Sequence, residues 1–182
     1  FQMYPGGVLG SEKEMIEQTQ VGAIQILRTS LGPVGPIVPD VNVFNMPFVF
    51  RDIAHMRAVI DGPIGQELLD KISASPARMV GLAWMDGGSR SLYTKKPART
   101  PADLKGQKVF TAIQTGVIDG AENNPPSLFT ANHFKAGAKY YTQTNHLIIP
   151  EILVMSKVAW DKLAPADQAA VKKAAREAQM EQ

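Results

Sequence analysis

Three short polar runs in this 182-residue chain have the side-chain types needed to hold a small organic anion: Arg28-Thr29-Ser30, Asp86-Gly87-Gly88-Ser89-Arg90 and Asp119-Gly120-Ala121-Glu122-Asn123-Asn124. A guanidinium is a planar, two-pronged donor that matches a carboxylate more closely than an ammonium does. Side-chain amides donate and accept, so Asn123 and Asn124 suit hydroxyls as well as carboxylate oxygens. Each run follows a segment that reads as a strand, and in open α/β sheets ligands bind outside the carboxyl ends of strands. Blander readings stand beside these. Arg90 in a surface ion pair would contribute at most about 1 kcal/mol, and Asp119-Gly120 suits a tight turn for backbone reasons alone. That explanation is weaker for Glu122-Asn123-Asn124, whose amides are held next to Pro125-Pro126.

Other chemistries lack their residues. Without cysteine there is no disulfide, no thiolate nucleophile and no Cys-ligated zinc. His55, His133 and His146 fall in different elements without metal-ligand spacing, so structural or surface roles are expected and no metal site. No G-x-S-x-G, G-x-G-x-x-G or G-x-x-x-x-G-K-[ST] motif occurs, and no cofactor is expected. The net charge of +2 is spread along the chain, with only Lys95-Lys96 and Lys172-Lys173 as adjacent lysines, which is a solvated surface and not a nucleic-acid footprint. The densest apolar patch, Leu147 to Val154, is broken by Pro150 and Glu151, so the chain is not expected to be membrane-embedded.

The elements that must position these groups alternate between helix and strand. Ser11-Glu12-Lys13-Glu14 is a capping box that starts a helix running to about Gln20, with Gly22 ending it. Ala23 to Arg28 reads as a strand covered on both faces. Gly32, Pro33, Gly35, Pro36 and Pro39 mark an irregular loop. Asp52 caps a short helix to Ile60, and Gly62-Pro63 opens another to about Ser73. Arg78 to Trp84 is a strand followed by a polar turn through Arg90. Thr100-Pro101 starts a single helical turn before a strand at Lys108-Val109. Phe110 to Thr115 reads as a helix, Val117 to Asp119 as a short strand, Ser127 to Phe134 as a helix, Tyr140 to Ile148 and Ile152 to Ser156 as strands, and Pro165 opens a final helix to about Met180. This alternation predicts an α/β architecture with a largely parallel sheet.

Taken in order, four segments resemble a known family: Tyr4-Pro5-Gly6-Gly7-Val8-Leu9-Gly10-Ser11-Glu12-Lys13-Glu14-Met15, then Asn45-Met46-Pro47-Phe48-Val49-Phe50-Arg51-Asp52, then Thr100-Pro101-Ala102-Asp103-Leu104-Lys105-Gly106, and Thr111-Ala112-Ile113-Gln114-Thr115-Gly116-Val117-Ile118-Asp119-Gly120-Ala121-Glu122-Asn123. They are similar to the periplasmic solute-binding subunit of tripartite ATP-independent (TRAP) transporters, of the dicarboxylate-binding-protein (DctP) type. The resemblance covers nearly the whole chain. It implies a two-lobed α/β fold of the periplasmic-binding-protein, type II-like kind, with mixed sheets, hinge strands and a long helix. By it, residues 1–85 form an amino-terminal lobe, 86–150 a carboxyl-terminal lobe, and 151–182 a crossing strand and a long helix returning across both.

The resemblance implies that Asn123, with Asn124, contacts ligand. It places Arg90 at a ligand-facing position, Arg28, Thr29 and Ser30 on the other lobe's side of the cleft, and Ser11 and Glu12 at a cleft edge. Asp86 and His146 complete the expected set. Two departures accompany it. Family members continue after Leu-Lys-Gly-x-Lys with an Arg that meets the substrate carboxylate, whereas here Val109 runs straight into Phe110. The family's first strand and helix, and its carboxyl-terminal helices, also have no counterpart. A stretch omitted between Val109 and Phe110, that Arg included, is therefore expected.

Function by this resemblance is capture of a small organic acid in the periplasm and delivery to membrane subunits that use an ion gradient. The richness of hydrogen-bonding groups favours a sugar acid such as a uronate or aldonate over a simple dicarboxylate. A dicarboxylate-specific binder is one alternative. A sugar-acid lyase or isomerase with Asp86 or Glu122 as base is another, and it lacks a metal cluster, a cofactor motif and a spaced acid-base pair. A sensor that binds no small acid is a third.

Overall fold

Ser11 starts the first helix as its side chain dictates: its hydroxyl accepts from Glu14 N and donates to Glu14 Oε2, which also accepts from Ser11 N. Helix α1 (Glu12–Val21) ends at Gly22, whose φ of 88° is a left-handed cap that a Cβ would strain. Strand β1 (Ile26–Ser30), a 3-10 helix (Pro39–Asn45), α2 (Ile53–Ile60), α3 (Pro63–Ala74) and β2 (Met79–Thr94) follow. A second 3-10 turn (Pro101–Leu104), β3 (Gly120–Asn123), β4 (Tyr140–Ser156), α4 (Lys157–Trp160) and α5 (Pro165–Met180) complete the described elements. This computed structural model describes residues 2–105, 119–125 and 137–181. The expected helices at Phe110 to Thr115 and Ser127 to Phe134, the strand at Lys108-Val109, the Val109-Phe110 junction and His133 lie outside the described residues.

The chain divides into two units, residues 1–87 with 149–182, and residues 88–148. Strands β2 and β4 pass from one to the other. In the first unit β1 pairs antiparallel with β4, Ile26 opposite Met155 and Ser30 opposite Glu151, and β4 neighbours β2. In the second, β2 pairs antiparallel with β3, Ser91 opposite Asn123 and Thr94 opposite Gly120. Lys157 N donates to Arg78 O in the first unit and Lys139 N to Thr94 O in the second, so β2 and β4 also run in opposite directions.

The expectation of a largely parallel sheet is therefore corrected. Alternating helices and strands suggest successive parallel crossovers, but chain order does not dictate which strands become neighbours, and here two long strands pair with each other. The expected turn over Asp86 to Arg90 is likewise strand. Gly87 lets β4 come close, since a Cβ there would stand 2.6 Å from Ile149 O, and Gly88 takes a φ of 75° without breaking the element. Tyr140 to Ser156 is one strand and not two, despite Pro150. The polar run Glu122-Asn123 lies within β3 instead of after a strand.

Met79 to Met85 are all buried, which explains the unbroken apolar run: both faces of β2 are covered here. Val80, Leu82, Ala83 and Met85 pack with Met155 and Ala175, and with Ala159, Trp160, Leu163 and Val171. Trp84 is fully buried, edge-on to Phe44 at 5.5 Å, and donates its indole N–H to Gly65 O at 3.0 Å. Each such side chain contributes roughly 1.5–3 kcal/mol through burial. Among the described residues no helix is long and apolar enough to cross a membrane.

Candidate ligand-binding site

The second unit brings Arg90, Asn123, Asn124 and His146 together, and register is the reason. Tyr93 and Ala121 are opposite each other and almost fully buried, which commits their face to the interior. Leu92 opposite Glu122 then lies on the alternate face, and Arg90, two residues back along β2, is the diagonal neighbour of Glu122. Arg90 Nη1 stands 3.3 Å from Glu122 Oε1, and Arg90 Nη2 donates to Asn123 Oδ1 at 3.4 Å. Asn123 Oδ1 also accepts from Asn124 N at 2.9 Å, and Tyr93 donates its hydroxyl to Asn124 O.

His146 reaches the same carboxylate from β4. Its Nε2 lies 3.5 Å from Glu122 Oε2, and its Nδ1 is 2.8 Å from Thr144 Oγ1. At 3.5 Å the imidazole attracts Glu122 Oε2 without a good hydrogen bond. That buried oxygen has no hydrogen-bond donor among the described residues. The side chains of Arg90, Glu122 and His146 keep 27%, 24% and 23% of their surface exposed, so the cluster is half sunk and still reachable. On the other face of β2, Ser89 and Ser91 hydroxyls donate to Asn145 Oδ1.

Buried Tyr93 reports on this environment. Burial, then the neighbouring Tyr141 and Glu122, push its hydroxyl up from 10.0 to about 12, while Arg90 pulls the other way. An acid whose native value is raised gives up stability as pH climbs, because the unfolded chain ionises first. The contribution is whole below pH 10 and is lost progressively toward 12. We expect urea midpoints of the protein to fall over that window, and the fall to be smaller for Tyr93→Phe. Equal pH slopes for the two proteins would show that Tyr93 is not the group responsible.

In the first unit the remaining predicted residues form two groups. Glu12, at the first position of α1, accepts from Ser30 N at 3.0 Å, from Ser30 Oγ at 2.7 Å and from Thr29 Oγ1 at 3.4 Å. Arg28 pairs through Nε with Glu151, its diagonal neighbour on β4, and donates through Nη2 to Asp86 O at 3.1 Å. Arg57 on α2 supplies what sequence reading missed: its Nη2 lies 3.3 Å from Asp86 Oδ2. Arg57 and Asp86 also line a small recess with Ile60, Asp61, Trp84 and Gln179. Glu151 and Arg57 were missed because their partners are 123 and 29 residues away, a spacing no motif announces. His55 accepts from Arg51 N at 3.3 Å and lies edge-on to Phe50. No cluster of three potential metal ligands occurs among the described residues.

A guanidinium, an amide, a carboxylate and an imidazole within one patch suit an oxygen-rich anion. The profile of bacterial extracellular solute-binding proteins, family 7 (DctP), matches residues 1–109 and 108–182. This chain belongs to that family. The two matched pieces meet at residues 108–109, where the sequence leads us to expect an omitted stretch. Among relatives of the DctP family, a solute-binding protein of Chromohalobacter salexigens is 36% identical over 209 aligned positions, covering 100% of this chain and 61% of its own length. The chain thus spans about three fifths of that relative. A TRAP periplasmic solute-binding protein of Pseudomonas putida F1, solved with bound D-glucuronate, is 60% identical with a TM-score of 0.94, covering 100% of this chain and 68% of its own. One from Citrobacter koseri, also with bound D-glucuronate, is 46% identical with a TM-score of 0.92, covering 99% and 69%. Both solved relatives of this DctP-family chain are two-lobed binding proteins.

Proposed function

We propose that the protein is the extracytoplasmic binding subunit of a TRAP transporter, that it captures a sugar acid of the uronate type in the periplasm, and that it hands this ligand to membrane subunits without transforming it. The observation that carries the reading is the Arg90, Glu122, Asn123 and His146 cluster, on a chain 60% and 46% identical to two proteins that hold D-glucuronate. A carboxylate withdrawn from water needs a charged partner, because an unpaired buried ion costs several kcal/mol or more. Arg90 supplies that charge. Of its five N–H donors the described contacts occupy two, and Glu122 holds the guanidinium plane in place. Asn123 and Asn124 present amides and His146 an imidazole to hydroxyl groups, which a uronate carries and succinate lacks. Among the described residues Glu122 is paired with Arg90 and Asp86 with Arg57, so each carboxylate is committed to an ion pair.

Titration calorimetry decides it. D-Glucuronate and D-galacturonate are expected to bind with at least tenfold lower Kd than succinate or malate, about 1.4 kcal/mol, and chromatography is expected to return the uronate unchanged after incubation. Tight succinate or malate binding with no heat from either uronate would refute the sugar-acid reading. Conversion of the uronate would refute the binder.

A further inference from the structure

Tyr93 has no exposed surface, and neighbours on two other strands fix its ring on β2. Ala121 of β3 stands opposite it, and the Tyr141 ring of β4 stacks on it with centroids 5.3 Å apart and planes 30° from parallel. A ring held this way delivers its hydroxyl to one place, and a buried phenol needs a partner there. That partner is Asn124 O, on the first residue after β3. Burial pushes the Tyr93 hydroxyl up to about 12, so it remains a donor throughout the physiological range.

Asn124 is thereby held at both ends. Its carbonyl accepts from Tyr93 and its N–H donates to Asn123 Oδ1 at 2.9 Å, while Pro125 narrows the backbone angles open to it. Asn123 Oδ1 also accepts from Arg90 Nη2 at 3.4 Å. A side-chain carbonyl has two lone pairs and these donors use both, so the amide has only its Nδ2 hydrogens left to offer a ligand. That polarity matters for an acid. With Asn124 released, its N–H would leave Asn123, the amide would be free to flip, and Oδ1 would face a ligand oxygen with no proton between them. We propose that Tyr93 is a positioning residue for ligand binding: through Asn124 it keeps the Asn123 donors turned to the ligand without touching the ligand itself. The proposal rests on the sugar-acid reading of this cluster.

Tyr93→Phe keeps the ring and its stack and removes only the donor. Calorimetry should give this variant a Kd for D-glucuronate about tenfold above wild type, the upper end of what one hydrogen bond contributes. Thermal melting establishes that it is folded. A merely structural tyrosine would not give the next result. In an Asn123→Ala protein there is no amide left to misplace, so adding Tyr93→Phe should change Kd by less than about twofold. Exchange of the Asn124 amide hydrogen, followed by NMR in the free protein, should be about tenfold faster in Tyr93→Phe, because the bond to Asn123 Oδ1 opens more often. Wild-type affinity in Tyr93→Phe, an equal loss in both backgrounds, or unchanged Asn124 exchange would overturn the proposal and leave the sugar-acid reading intact. Binding of succinate but of neither uronate by the wild-type protein overturns that reading instead, and the same variants titrated with succinate then decide the role of Tyr93. Binding of neither kind of acid overturns both.

Discussion

Arg90→Ala is expected to weaken D-glucuronate binding by about 2–5 kcal/mol, at least thirtyfold in Kd, the usual cost of removing one partner of a desolvated charge pair. Of the described cluster the ligand carboxylate would then meet only amides and an imidazole, and neither gives a guanidinium's fixed fork. Arg90→Lys should recover little, because an ammonium cannot hold Glu122 Oε1, Asn123 Oδ1 and a ligand with parallel donors. The variant also removes the charge facing Glu122, so thermal melting has to accompany the calorimetry. A folded Arg90→Ala protein with wild-type affinity would remove Arg90 from the proposed site.

Trp84→Ala is expected to cost about 3–5 kcal/mol of stability, the range for deleting a large buried aromatic. Trp84 has no exposed surface, it packs edge-on to Phe44, and its indole N–H satisfies Gly65 O. Its own backbone N–H donates to Gln179 Oε1 at 2.9 Å, which ties β2 to the end of α5. Against a total of about 5–15 kcal/mol, this loss threatens folding of the first unit. Urea denaturation should show a lower midpoint with an unchanged slope. Gly65→Ala attacks the same contact from the other side, since a Cβ there would fall 2.0 Å from Ile60 O. A loss under about 1 kcal/mol for Trp84→Ala would mean the cavity collapses freely and this packing is not what holds the strand.

Local chemistry wrote much of the helical structure into the chain. Ser11 and Glu14 make the capping box at the predicted place, Gly22 ends α1, Asp52 caps α2 through His55 N, and Pro63 and Pro165 open α3 and α5. Each depends on residues within one turn of each other, so a linear reading suffices. Strand limits were harder to see. Asp86 through Arg90 looks like a turn because glycine and aspartate favour turns, yet pairing along β2 and β4 carries the strand through it. Part of the candidate cluster was legible in the same uneven way. Arg90, Asn123, Asn124 and His146 were recognisable from side-chain type and family resemblance, and the fold gathers them. The partners of Arg28 and Asp86 were not, because Glu151 and Arg57 reach them across the sheet and from another helix.

By itself the sequence determined which residues bear charge and amide groups, where α1, α2, α3 and α5 start, and which family the chain resembles. These depend on residue identity or on neighbours a few positions apart. Tertiary structure alone decided the antiparallel order of the strands, the diagonal placement of Arg90 on Glu122, and which acid each arginine serves. Such contacts close loops of tens of residues, and their geometry follows from register and packing rather than from any local preference.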